Sequence, residues 1–221
     1  MNQPLKTTVL ISGGGSNLQA LVDARDSGRL EIDITHVISN VADAAGLDRA
    51  ARAGISSSVL PHGNFSSREE FDQALAVLIA ANQPDLVVLA GFMRIIGQAV
   101  LEPFQGMLIN LHPSLLPLYR GTGTYLRAIE AGDRHHGASI HFVTEELDGG
   151  PVISQVVIPI KSDDSPESLA ARLSPREHDL VVATVELFSK HRVECSEGSV
   201  FIDGKKNSAP LMLQPDNQLH P

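Results

Sequence analysis

The sequence predicts an α/β fold: a single doubly wound, mostly parallel sheet with helices on both faces. Three observations carry this. Short apolar runs bounded by turn residues recur along the chain (TTVLIS, ITHVIS, LVVL, MLIN), and such runs read as buried strands. Stretches with apolar residues at helical spacing lie between them, so strand and helix alternate. The chain has 221 residues and is 43% hydrophobic, enough for a sizeable core.

Thr7–Ser12 is the first strand. GGGSN follows, and Leu18, Leu21 and Val22 mark a helix that Gly28 can stop. A strand, a glycine turn and a helix start in this order aim backbone N–H groups and the positive dipole end at an anion. Gly13–Gly15 allow close backbone approach, while Ser16 and Asn17 add donors or caps. The turn lacks the Gly-Lys-Ser/Thr end of a Walker loop, and Leu18 stands where a dinucleotide fingerprint has its third glycine. A single phosphate fits better than a pyrophosphate. A glycine turn without a ligand is the plainer alternative.

Ile34–Ser39 is the second strand. Asp43 is placed to cap a helix through Ala53, with Gly54 at its end. Ser57–Leu60 is a short third strand. Ser66 and Glu69 read as a capping box before a helix to about Ala81. Arg68 lies in that first turn, against the dipole preference for acids, and is either a ligand contact or an ordinary exposed arginine. Leu86–Leu89 is the fourth strand and Gln98–Leu101 a short helix. Between them GFMRII suits the wall of an aromatic-ring pocket as well as it suits ordinary core.

Met107–Pro117, MLINLHPSLLP, is the stretch around which the rest is organised. It opens as an apolar strand, and alternation points Asn110 and His112 the same way. Pro113 forces His112 into extended geometry and ends the ladder. An amide and an imidazole then stand where a strand meets a loop, the place where open α/β sheets bind ligands. The alternative is a turn-capping asparagine and a solvated loop histidine. LYRGTGT is a flexible loop, and Tyr125–Ala131 a helix stopped by Gly132. Ala138–Val143 and Val152–Ile158 are strands around an Asp148-Gly149-Gly150 turn, where Asp148 either shapes the bend or partners His112. Ser165-Pro166 starts a helix ending near Lys190. Within it Ser174-Pro175-Arg176-Glu177 reads as a second capping box and predicts a kink or a break into two helices. SVFI is a late strand before Asp203-Gly204, and the tail after Pro210 reads as loose.

Composition excludes several function classes. A net charge of −9 argues against a general nucleic-acid binder. With no Trp, seven Phe and two Tyr, a base-stacking surface is not expected. No apolar run is long enough to span a bilayer, so no membrane partner is expected. The start, MNQPLKTT, has no basic stretch followed by an apolar segment, so no secretory leader is expected. Cys195 alone excludes an internal disulfide and a cysteine metal cluster, and a reducing cytoplasm is the expected home. His135, His136 and His141 lack a ligand pattern, so no metal is expected.

ISGGGSNLQAL, SNVADAAGLDRA, DLVVLAGFMRII, INLHPSLLP and SIHFVTEELDGGPVI together resemble the phosphoribosylglycinamide formyltransferases, folate-dependent enzymes of purine synthesis. The likeness runs from about Val9 to about Lys190. It implies a single Rossmann-like formyltransferase domain over residues 1–221, with a phosphate-binding half over about 7–104, a folate and catalytic half over about 105–203 and a loose tail over 204–221. It implies that Asn110, His112 and Asp148 are catalytic. It places the substrate phosphate at Gly15, Ser16 and Asn17, and matches Glu177 to a position that touches the sugar. It assigns the co-substrate 10-formyltetrahydrofolate to Arg68, Met93, Arg94, Ile95, Ile96 and Asn110, with Thr144, Glu145, Glu146 and Leu147 closing around its pteridine. It further implies small-molecule partners, a monomer or homodimer, and a cis bond at Leu116–Pro117. Leu118, Arg120, Gly123 and Tyr125 depart from residues that are commonly Lys, Pro, His and His in this loop, and Pro175 is unusual beside Glu177.

The implied chemistry needs no covalent nucleophile, because a neutral amine already attacks a formyl carbon. The oxyanion that forms needs preorganised donors, which the Asn110 amide and a protonated His112 can supply. Asp148 beside His112 is expected to raise its pKa and to help pass the amine proton to the leaving N10. Rival readings are a formyltetrahydrofolate hydrolase, which needs no phosphate site, and a non-catalytic nucleotide-binding module. An NAD-dependent oxidoreductase is disfavoured by the incomplete glycine fingerprint.

Overall fold

The computed structural model describes residues 3–220. Its contacts cluster into two compact units, one ending at Asn110 and one beginning at Leu111.

In the first unit, β1 (Leu5–Ile11), β2 (Ile32–Ser39), β3 (Ser57–Val59), β4 (Leu86–Leu89) and the start of β5 (Leu108–His112) form a wholly parallel array in the order β5-β4-β1-β2-β3. Val9, Leu10, Ile11, Val37, Ile38 and Leu86–Val88 are buried, as expected of strands covered on both faces. Between the strands run α1 (Ser16–Asp26), α2 (Ala45–Arg52), α3 (Arg68–Ala81) and α4 (Gln98–Leu101). Helix α1 packs with α2, and α3 with α4. Right-handed crossovers put these two pairs on opposite faces. The chain runs from β1 outward to β3 and then returns to β4, so β1 and β4 flank a topological switch point. Ligands bind at the carboxyl ends of strands at such a point.

In the second unit, β6 (His135–Phe142) and β7 (Val152–Pro159) are antiparallel, and α5 (Thr124–Glu130) and α6 (Pro166–Lys190) pack on each other. Helix α6 also covers β6 and β7, burying Leu169, Leu173, Leu180 and Val185. A small antiparallel sheet follows, made of β8 (Val193–Ser196), β9 (Ser199–Ile202) and β10 (Lys205–Lys206). Strand β11 (Leu211–Leu213) runs parallel to β7, and β12 (Leu219–His220) pairs with β11. The mostly parallel α/β class expected from the sequence is therefore observed. No described helix is long and apolar enough to cross a membrane.

Four local expectations are corrected. Asp43 does not cap α2; the N-cap is Ala44, which makes no side-chain cap. The α3 cap is shifted by one residue: Ser67 Oγ accepts the Glu70 N–H at 3.1 Å, and Glu70 reaches back to Ser66. Helix α6 runs unbroken through Pro175, because its buried leucine face fixes both sides of the proline; Glu177 is buried in that face and does not cap Ser174. The tail is not loose after Pro210, since β11 buries Leu211 and Leu213 beside β7. Its backbone had a sheet edge to join, which the short LML run does not announce. Leu116–Pro117 is cis, as the resemblance implies.

Candidate active site

In the first unit the glycine turn leaves β1 and enters α1 through Gly15, which has φ 69 and no side-chain cap. A Cβ on Gly15 would lie 2.7 Å from the Gly46 Cα, and the Gly46 N–H donates to Gly13 O at 3.0 Å. Only glycine allows both the left-handed turn and this backbone approach. The turn is braced further by Arg49 Nε, which donates to Gly14 O at 2.8 Å. No acid lies in the first turn of α1. Ser16 is exposed there, and Asn17 Oδ1 is buried without a partner among the described residues. The first-turn N–H groups and the positive helix end suit an anion.

After β4, residues 91–97 take no regular structure. Met93 is 72% exposed and Ile95 50%, while Ile96 is buried. This is not ordinary core; it is an apolar surface at a strand end. Arg94 lies over the Phe71 ring, 5.7 Å from its centroid. Arg68 opens α3, half exposed, with Nε 3.5 Å from Asp72 Oδ2.

Strand β5 carries Asn110, half-buried, and His112, buried. Being two apart on one strand, they face the same way. In the second unit the His112 ring lies between two acceptors. Nε2 donates to the Tyr119 carbonyl at 2.9 Å, and Nδ1 is 3.4 Å from Asp148 Oδ2. Asp148, at φ 48, also accepts the Gly121 N–H at 2.9 Å and places Oδ1 3.6 Å from His141 Nε2. So Asp148 does meet His112, as the sequence suggested, and a second histidine, His141, shares the carboxylate. His141 was missed because in ASIHFV it reads as one polar position of an alternating strand.

The charges differ from expectation. Burial would raise the Asp148 carboxyl, but hydrogen bonds from His141 and Gly121 and the nearby imidazoles outweigh it and hold it below its ordinary range. For His112 burial wins. It holds the imidazole below its ordinary range, although the Tyr119 carbonyl and Asp148 pull upward; His141 and Arg127 add to the drop. Asp148 therefore favours imidazolium as expected, but does not prevail in the resting site.

The loop that departs from the family pattern touches this cluster mainly through backbone: the Tyr119 carbonyl and the Gly121 N–H. Leu118 and Gly123 thus leave these contacts to groups that every residue carries. Arg120 forms an ion pair with Glu146, and Tyr125 OH donates to Glu177 Oε1 at 3.3 Å. Burial raises Glu177 to about 7, against the pull of the Tyr125 hydroxyl. Thr144 Oγ1 donates to Glu146 O at 3.4 Å, while Glu145, Glu146 and Leu147 are exposed.

The formyl transferase family matches residues 5–185. The phosphoribosylglycinamide formyltransferase of Escherichia coli (strain K12) is 45% identical over 202 residues, 91% of this chain and 95% of that protein. The chain belongs to the formyl transferase family. Solved formyltransferases superpose over nearly their whole length. The phosphoribosylglycinamide formyltransferase of Coxiella burnetii has a TM-score of 0.88 at 45% identity, covering 93% of this chain and 96% of that one. Glycinamide ribonucleotide transformylase 1 of Symbiobacterium toebii has a TM-score of 0.88 at 38% identity, covering 91% and 95%. In this formyltransferase, then, the strand-end histidine and the glycine turn belong to a fold shared with those relatives over 91–93% of the chain.

Proposed function

We propose that this formyltransferase moves a formyl group from 10-formyltetrahydrofolate to the amine of glycinamide ribonucleotide, giving formylglycinamide ribonucleotide and tetrahydrofolate in purine synthesis. The observation that carries this reading is the 45% identity over 95% of the Escherichia coli protein named for that activity. The site chemistry supports it. The turn at Gly15–Asn17 suits a lone phosphate, and Glu177, buried beside Tyr125, suits a sugar hydroxyl. The exposed Met93 and Ile95 suit a flat ring, and the half-exposed Arg68 suits an acidic tail. The Arg94 backbone and the Thr144–Leu147 turn are the proposed readers of the polar ring edge.

Catalysis is then assigned to Asn110, His112 and Asp148. The amine nitrogen bonds to the formyl carbon, the carbon–N10 bond breaks, and the proton lost by the amine ends on N10. The Asn110 amide donates to the developing oxyanion. His112 and Asp148 hold the proton in transit, directly or through water.

A formyl-transfer assay with and without glycinamide ribonucleotide tests this. Tetrahydrofolate should form only when the amine is present. Steady formate release without amine would establish a hydrolase instead.

A further inference from the structure

We propose that Ser12 and Asp72 are positioning residues that clamp the two ends of the 93–97 segment, holding it in shape for the formyl donor. The inference rests on the proposed folate reading of that segment.

At one end the Met93 N–H donates to Ser12 Oγ at 2.7 Å. That hydroxyl donates in turn to Asn40 Oδ1 at 2.5 Å, and Asn40 Nδ2 lies 3.3 Å from His62 Nδ1. The hydroxyl hydrogen is thus committed, so its lone pair is aimed at Met93. At the other end the Gly97 N–H donates to Asp72 Oδ2 at 3.0 Å. Asp72 is 2% exposed on α3. A Cβ on residue 97 would stand 2.4 Å from that carboxylate oxygen, so glycine is what lets the carboxylate reach the backbone.

A hydrophobic explanation for the segment's shape is lacking. Met93 and Ile95 point outward, and only Ile96 is anchored by burial. Residues 93–96 lie outside any strand or helix, and the Gly97 carbonyl accepts the Val100 and Leu101 N–H groups that open α4. Its ends are instead fixed by side chains from elements around the switch point, Ser12 after β1 and Asp72 on α3. Burying a carboxylate is costly unless it is well paired. Asp72 bears that cost with Oδ1 unpartnered among the described residues and its carboxyl raised by burial, against the pull of Arg68, the Gly97 N–H and Arg94. A group kept on such terms, with its bond directed at the segment, preorganises a binding surface.

The test compares wild type with Ser12→Ala, Asp72→Ala, Asp72→Asn and Gly97→Ala, measuring KM for 10-formyltetrahydrofolate and for glycinamide ribonucleotide separately. Ser12→Ala, Asp72→Ala and Gly97→Ala should each raise the donor KM by about tenfold, the order of one lost hydrogen bond, with the amine-substrate KM within about twofold. Asp72→Asn keeps a carbonyl oxygen for the Gly97 N–H and should recover most of the loss. Hydrogen exchange at the Met93 and Gly97 amides should speed up in the alanine variants. Should Asp72→Ala not fold, Gly97→Ala breaks the same bond from the other side. An unchanged donor KM in these variants, an equal rise in both KM values, or Asp72→Asn behaving like alanine would overturn the clamp. Failure of the folate reading looks different: the wild-type protein itself would neither bind nor consume 10-formyltetrahydrofolate.

Discussion

Asp148→Asn would remove one negative charge and the acceptor oxygen that faces His141, while the bond to Gly121 can stay. Asp148 sits at φ 48, a conformation asparagine tolerates, and an amide oxygen can still accept the Gly121 N–H. The lost charge faces His112 Nδ1 at 3.4 Å and His141 Nε2 at 3.6 Å. Unit charges about 4 Å apart attract by about 4 kcal/mol at an effective dielectric constant of about 20. Only the part that grows between ground state and transition state accelerates the reaction. Burial keeps the resting His112 toward its neutral form, so most of the attraction is held back until His112 takes up positive charge. Losing about 3 to 4 kcal/mol of it slows kcat by about 100- to 1000-fold. Single-turnover transfer and the melting temperature should be measured on one preparation. The expected result is a large fall in kcat, little change in either KM, and a modest drop in melting temperature, because a carboxyl held below its ordinary range stabilises the fold when ionised. By NMR, His112 should titrate lower still, since a neighbouring anion has gone. A folded variant with unchanged kcat would refute the reasoning. A lowered melting temperature with full activity per folded molecule would show that Asp148 only shapes its turn.

Other outcomes follow from the same geometry. Glu177→Gln should remove a pH dependence of stability: the folded carboxyl, raised from 4.5 to about 7, keeps a proton that the unfolded chain releases. Wild-type stability relative to the variant should therefore fall by about 3 kcal/mol as pH rises through that window, measured by denaturant melts at pH 4 and 8. Gly15→Ala should cost about 1–3 kcal/mol of stability and weaken inhibition by inorganic phosphate, because φ is 69 and the Gly46 backbone lies 2.7 Å from the new methyl. Truncation after Pro210 should lower stability by about 3 kcal/mol and promote aggregation, because it uncovers Leu211 and Leu213 contacts and the edge of β7.

Much of the fold was legible in the sequence where a local signal and the tertiary outcome coincide. Leu86–Leu89 is found residue for residue, and the short helix is found around Gln98–Leu101, because an apolar run and a proline or glycine boundary mark each. Pro175 misleads, since its local cost is outweighed by leucines spaced along the whole of α6. The tail misleads because a three-residue strand is defined by its neighbour, not by its own pattern. Of the candidate site residues, Asn110, His112 and Asp148 were visible as a strand end and a turn. Ser12 and Asp72 were not, since each reads as an ordinary residue of its strand or helix. Asp72 had one weak signal, its spacing of four from Arg68 on a helix.

The charge of His112 could not be read from sequence because it is a balance, and burial is the largest weight in it. That balance also constrains the proposed chemistry. Both ring nitrogens already face acceptors, Tyr119 O and Asp148 Oδ2. A neutral ring with its proton on Nε2 satisfies the carbonyl and leaves Nδ1 basic beside the carboxylate. Such a ring accepts a proton from the attacking amine, which an imidazolium cannot do. The added charge then meets Asp148 at once, so proton uptake and stabilisation occur at the same atom. To serve also as an oxyanion donor, the ring would first have to exchange one of these acceptors for the oxyanion. The Tyr119 carbonyl is the one to yield, because an uncharged acceptor holds the N–H less strongly than a carboxylate does. In the proposed reaction Asn110 would carry the early oxyanion charge, and the His112–Asp148 pair would carry the proton.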